Sequence, residues 1–131
     1  MSVQIKSLTN SSSVLGSLMP AANDDFNLIP LPNTVYRLYT APAAKAAIVK
    51  SIRVTNIKSQ TINITLYLNR PDADGRYRRR LLAPKNMTIP PNGACIDDSE
   101  ITLEPGDSIE GECAQGNSVH YIISGMERDV T

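Results

Sequence analysis

A chain of 131 residues has room for one domain, and at that length it can bury a core without cross-links. Thirteen Lys and Arg cancel thirteen Asp and Glu, so no net field draws it to nucleic acid or to an anionic membrane. With no Trp and one Phe, the interior must be built from Ile, Leu and Val with Tyr at its margins, and no stretch approaches the roughly 20 apolar residues of a membrane span.

Residues 1–32 read as an extended arm. Polar Thr9–Ser13, small and acidic Ala21–Asp25, and Pro20, Pro30 and Pro32 interrupt isolated apolar points at Val14, Leu15, Leu18, Met19, Phe26, Leu28, Ile29 and Leu31. A solvated tail does not need such points, so they are read as contacts to the arm's own domain or to a neighbour. Lys6 is followed by polar residues rather than an apolar run, so no signal peptide is expected and the chain is expected to be made in the cytoplasm.

From Asn33 the pattern is that of strands. Val35–Tyr39 is short and rich in β-formers. Ala46–Ile57 alternates, placing Ile48, Ile52 and Val54 on one face with Lys50 among them, and Arg53 and Thr55 on the other. Ile62, Ile64, Leu66 and Leu68 alternate with Asn63, Thr65, Tyr67 and Asn69, the cleanest period-2 signal in the chain. Turn residues at Pro71–Gly75, Ala83–Asn86 and Pro90–Gly93 bound strands at Arg76–Leu82 and Met87–Ile89. Ala94–Ile96, Ile101–Leu103, Ser108–Cys113 and Val119–Met126 follow. In the last, Val119, Tyr121 and Ile123 oppose His120, Ile122 and Ser124. About eight short strands with regular turn signals and no convincing helix predict an all-β fold. It is a two-sheet antiparallel sandwich of jelly-roll or immunoglobulin-like type over residues 33–131, with the arm at 1–32.

Glu104-Pro105-Gly106-Asp107 has type II turn chemistry. If it closes a hairpin, Cys113 faces Asp98 and Cys95 faces Gly116. The thiols then lie about 10 Å out of register, too far for a bridge, so two buried free thiols are expected.

Chemistry is sparse. His120 is the one histidine and is read as a partly buried strand residue. No G-x-S-x-G, P-loop or G-x-G-x-x-G occurs, and no His or Cys pair has metal-ligand spacing, so no enzyme, cofactor or metal is expected. Asp72 and Asp74 precede Gly75 as in a calcium loop, but arginines stand where later ligands belong. Asp97, Asp98 and Glu100 read as a solvated loop. Arg76, Arg78, Arg79 and Arg80 form the sharpest charge feature. They read as an edge strand protected from pairing, or as a contact to an acidic protein surface, rather than as a nucleic-acid site.

Three groups of residues carry a resemblance. They are Leu38–Pro42 with Ala47–Asn56, then Arg80–Pro90, then Ile101–Ile109 with Tyr121–Glu127. Over residues 36–128 the chain resembles small β-sandwich virion proteins of tailed bacteriophages, of the capsid decoration (cement) type. The resemblance implies a structural protein on the capsid exterior that binds the major capsid protein and copies of itself, as a homotrimer. It brings no catalytic residue. The contacts expected for such a protein are Leu15, Leu18, Met19, Phe26, Leu28, Ile29 and Leu31 of the arm and Arg76, Arg78, Arg79 and Arg80. Alternatives are a tail, collar or fibre component, or a carbohydrate-binding β-sandwich module.

Overall fold

The Ile62–Leu68 alternation forms the strand it predicts: Ile62, Ile64 and Leu66 are buried on one face, and Asn63 and Tyr67 turn to the other. The computed structural model describes residues 3–7 (as backbone), 28–71, 77–83 and 85–130. Among them are no helix and ten strands: β1 Val3–Ser7, β2 Val35–Thr40, β3 Lys45–Asn56, β4 Ile62–Pro71, β5 Tyr77–Leu81, β6 Met87–Ile89, β7 Ala94–Asp97, β8 Ile101–Leu103, β9 Ser108–Cys113 and β10 Val119–Asp129.

All strand pairs are antiparallel. One sheet runs β1-β10-β3-β7, with β8 on the same long β3. The other runs β2-β9-β4-β5, with β6 on the same long β4. Counting β7 with β8 and β5 with β6 as two interrupted strands leaves a single long hairpin folded back on itself. Its rungs are β1·β10, β2·β9, β3·β7/β8 and β4·β5/β6. Rolled up, that hairpin is a jelly roll, which decides between the two sandwich types.

The core lies between the sheets. Val49, Ile52 and Val54 of β3 and Val119, Tyr121 and Ile123 of β10 face Ile62, Ile64 and Leu66 of β4 and Ile109 of β9. The tyrosines are not marginal: Tyr36, Tyr39 and Tyr121 are all buried. In a chain without Trp they supply the bulk that fills the middle of a sandwich. Packing also begins before residue 33. Ile29 is fully buried in the same cluster, and β1 pairs with β10 from Val3↔Arg128 to Ser7↔Ser124. Removing residues 1–32 therefore takes a strand and a core side chain with it.

Three local expectations change. The face predicted through Ile48, Lys50 and Ile52 breaks at Lys50. The β3–β10 register slips there, pairing Ser51 with Ser124 and Val49 with Gly125. This bulge sends Lys50 out to Glu100 (2.5 Å), moves Val49 into the core and leaves Ile48 half-exposed. Gly125 makes the close approach possible, because a Cβ there would lie 2.1 Å from the Ile48 carbonyl oxygen. The Pro105–Gly106 turn forms, with Asp107 N donating to Glu104 O (3.0 Å) and Gly106 at φ 90°, but it closes no hairpin. It carries the chain from β8 in one sheet to β9 in the other, because Leu103 and Ile109 enter the core from opposite sides. Cys95 and Cys113 accordingly sit in different sheets as free thiols, Cys113 buried and Cys95 half-buried. Finally, His120 is exposed, on the outward face of β10.

Candidate functional site

The outward faces of the two sheets differ in chemistry. On the β2-β9-β4-β5 sheet, Glu110 is only 1% exposed. Its neighbours explain how that is tolerated. Arg79 Nε donates to Oε1 (2.7 Å), Asn69 Nδ2 donates to Oε2 (2.9 Å), and Arg37 stands opposite on β2. Arg79 also lies over the Tyr67 ring at 5.1 Å, and the Tyr67 hydroxyl donates to Glu112 Oε1 (3.0 Å). Partial burial, followed by that bond to a carboxylate, pushes the Tyr67 phenol up, with Arg79 opposing. Asn69 Oδ1 is buried here without a hydrogen-bond partner among the described residues. This face is a closed ionic and aromatic network. Its arginine comes from the edge strand β5, and its carboxylates come from β9 two strands away.

On the β1-β10-β3-β7 sheet the outward face holds no such network among the described residues. Register places Ile122 opposite Arg53 and Arg53 opposite Ile96, so the three side chains form one row across β10, β3 and β7. Ile122 is 47% and Ile96 58% exposed, and Arg53 is exposed between them. Thr55, flanked by His120 and Ala94, forms the next row. At the far end of the same sheet a pocket of about 240 Å³ opens over Ala46, Ile48, Thr102 and Met126, with Glu127 at its inner wall. Glu127 is buried and accepts the Tyr39 hydroxyl proton across the sandwich. Burial foremost, then that bond, holds the Tyr39 phenol far above its ordinary range. The pair ties the two sheets together.

The predicted contact residues divide accordingly. Leu15, Leu18, Met19, Phe26 and Arg76 lie outside the described residues, as do Asp72 and Asp74. Leu28 is half-buried and bridges to His120, Ile29 is in the core, and Leu31 is 57% exposed. β5 is an edge strand of its sheet, as read from its arginines. Strand alternation splits those arginines: Arg79, opposite Asn69, joins Glu110 on the outward face, whereas Arg78 and Arg80, opposite Arg70 and Leu68, are exposed on the other side. They do not form one patch. The Ile96–Arg53–Ile122 row was not singled out from the sequence. Its signal was present, since Ile122 falls on the polar side of the β10 alternation with His120 and Ser124. Among the described residues no cluster of His, Cys, Asp or Glu is placed to hold a metal ion. Asp97 caps its own loop, accepting from Ser99 N (3.0 Å).

No protein-family model matches the chain, and no curated protein matches it. Among solved structures it is similar to the CBM22-1 xylan-binding domain of Paenibacillus barcinonensis Xyn10C. Identity is 13% and the TM-score 0.42, over 98% of this chain and 82% of that one. A likeness of that degree carries no functional weight.

Proposed function

We propose that the chain is a non-enzymatic structural protein of a tailed-phage virion. In this reading it decorates and stabilises the capsid from outside by binding the major capsid protein, as a homotrimer. The observation that carries the proposal is the outward row Ile96–Arg53–Ile122. Two large aliphatic side chains left half-exposed on a rigid sheet, with an arginine between them, have the composition of an interface centre: apolar anchors beside a guanidinium that can fork onto a carboxylate. Burying what remains exposed of both isoleucines contributes about 1–3 kcal/mol per copy. That is weak for one copy, and it becomes firm attachment when symmetric copies engage together. The resemblance over residues 36–128 supplies the phage setting, and its residue runs fall on the rungs and turns of the roll.

The test is quantitative mass spectrometry of purified virions of the encoding phage. The expected result is a fixed ratio to the major capsid protein near that of a shell-covering trimer. Capsids from phage carrying Arg53→Glu should lack the protein, although the purified variant remains folded. A stoichiometry of a few copies per particle points to a tail, collar or fibre instead, and absence from particles refutes any virion role.

A second reading, carbohydrate binding, is favoured by the outward face around Tyr67, Asn69 and Glu112, where an unpartnered amide oxygen and carboxylates stand beside an aromatic ring. Against it, Arg79 already covers a face of that ring. A glycan array probed with the purified chain separates the two: saturable binding lost in Tyr67→Ala supports the module.

A further inference from the structure

β1 is held to the fold differently from every other rung of the roll. Its strand partner is β10, and it forms the outermost strand of its sheet. The other inter-sheet connections are short: residues 41–44 join β2 to β3, 57–61 join β3 to β4, 90–93 join β6 to β7, 104–107 join β8 to β9, and 114–118 join β9 to β10. β1, by contrast, is followed by residues 8–27 before the chain returns at Leu28.

Both ends of that connection sit on the same edge of the same strand. Ser7 pairs with Ser124 and Leu28 bridges to His120, four residues along β10. Four residues of strand cover about 14 Å. Twenty residues of extended chain can reach about 70 Å, twice the ~36 Å breadth of a domain of this size. The connection is several times longer than its own span requires, and long enough to carry β1 to the β10 edge of an adjacent copy. The anchor at Leu28–Ile29 stays in place whichever edge β1 occupies, because Ile29 is in the core of its own copy.

We infer that β1 is an exchangeable strand, and that the β10 edge at Ser124–Arg128 is the docking site for β1 of a second copy of this chain. The exchanged pairing makes the same backbone hydrogen bonds in the same register, so the local concentration of copies decides between the two forms. An open β10 edge is an aggregation hazard, and an identical strand is its best cover. The inference goes beyond capsid attachment and does not depend on it, since it concerns only contacts between copies.

The test uses the full chain in solution, without capsids. Ser7→Cys and Ser124→Cys are made in separate proteins, mixed across a range from micromolar to millimolar, and oxidised with oxidised glutathione. Bridges are mapped by mass spectrometry to exclude those through Cys95 or Cys113. The expected result is a Ser7–Ser124 intermolecular bridge whose yield rises at least tenfold over that range. It should also exceed that of a control mixture of Ser7→Cys with Lys58→Cys, an exposed position elsewhere, by at least tenfold. The double variant in one chain should close mostly within the monomer when dilute and between chains when concentrated. Val3→Cys with Arg128→Cys, a second pair in the same register, repeats the measurement should Ser124→Cys disturb the bulge. Equal yields for test and control mixtures, or a double variant that bridges only within the monomer at every concentration, overturn the inference. Absence of the protein from purified virions, with exchange intact in solution, would count against the proposed function alone.

Discussion

Arg79 and Glu110 provide the sharpest test of how the outward network is held. Glu110 is 1% exposed, and its carboxylate accepts one bond from Arg79 Nε at 2.7 Å and one from Asn69 Nδ2 at 2.9 Å. Replacing Arg79 with Met keeps much of the side chain's apolar cover and removes its charge. What is lost is a charge-assisted hydrogen bond to a buried carboxylate, about 1.5–3 kcal/mol, and a cation–π contact of about 0.5–1 kcal/mol. The Arg79 side chain is 36% exposed, which screens part of this and places the net cost at about 2–3 kcal/mol. A chain of 131 residues unfolds with an entropy near 0.28 kcal/mol/K, so the melting temperature should fall by about 7–11 °C. Glu110→Gln alone leaves an arginine that can turn to water and should cost about half as much. The double variant should then recover at least ~1 kcal/mol relative to the sum of the singles. Urea unfolding of the four proteins closes the cycle. Strict additivity, or an Arg79→Met loss below ~0.5 kcal/mol, would show that Glu110 does not depend on Arg79.

Three further outcomes are expected. Tyr39→Phe removes the hydroxyl that bonds Glu127 across the core and should cost about 1.5–3 kcal/mol near neutral pH. The folded phenol titrates above its unfolded value, so the wild-type advantage is complete below about pH 10. It should shrink by up to ~1.4 kcal/mol per pH unit above that, and a difference that stays constant from pH 9 to 11 in urea titrations refutes the coupling. Gly125→Ala drives a Cβ into the Ile48 carbonyl at the bulge; the expected result is a loss of more than ~3 kcal/mol or failure to express folded protein, against a small loss for Gly106→Asn at an open left-handed turn. Ile29→Ala should destabilise by about 2–5 kcal/mol, as a core position does, whereas Leu31→Ala, exposed two residues later, should lie within ~0.5 kcal/mol of wild type by thermal melting.

Strands were legible wherever one face is buried and the other wet, as in β4 and β10, because period 2 is then written directly into residue choice. The turns were legible too. Asn86 and Asn92, inside turns read from the sequence, take the left-handed conformation that Asn tolerates, as does Gly106 in the Pro105–Gly106 turn. What failed were properties of pairs. Whether Pro105–Gly106 ends in a hairpin or a crossing depends on which sheet Ser108–Cys113 joins, and the same turn residues serve both. The phase of β3 depends on a bulge opposite Gly125, which Lys50 and Val49 alone do not announce. Ile29 looked like part of an arm because a neighbour such as Gly111 comes from a strand far along the chain.

The same distinction bears on where a partner would bind. The arginine run reads in sequence as edge protection or as a contact to an acidic protein surface, but Arg79 with Glu110 and Tyr67 with Glu112 are paired across strands. A partner that took over those charges would break bonds to a carboxylate that is already out of water, a cost of several kcal/mol before any new contact forms. The Ile96–Arg53–Ile122 row asks for nothing comparable. Covering it removes apolar surface from water, and the Arg53 head can keep its hydration or exchange it for a carboxylate at the rim. For the proposed capsid contact, contact energetics therefore favour the β1-β10-β3-β7 sheet over the other. Placing a single acidic residue at Arg53 tests that choice while leaving the network on the other sheet untouched.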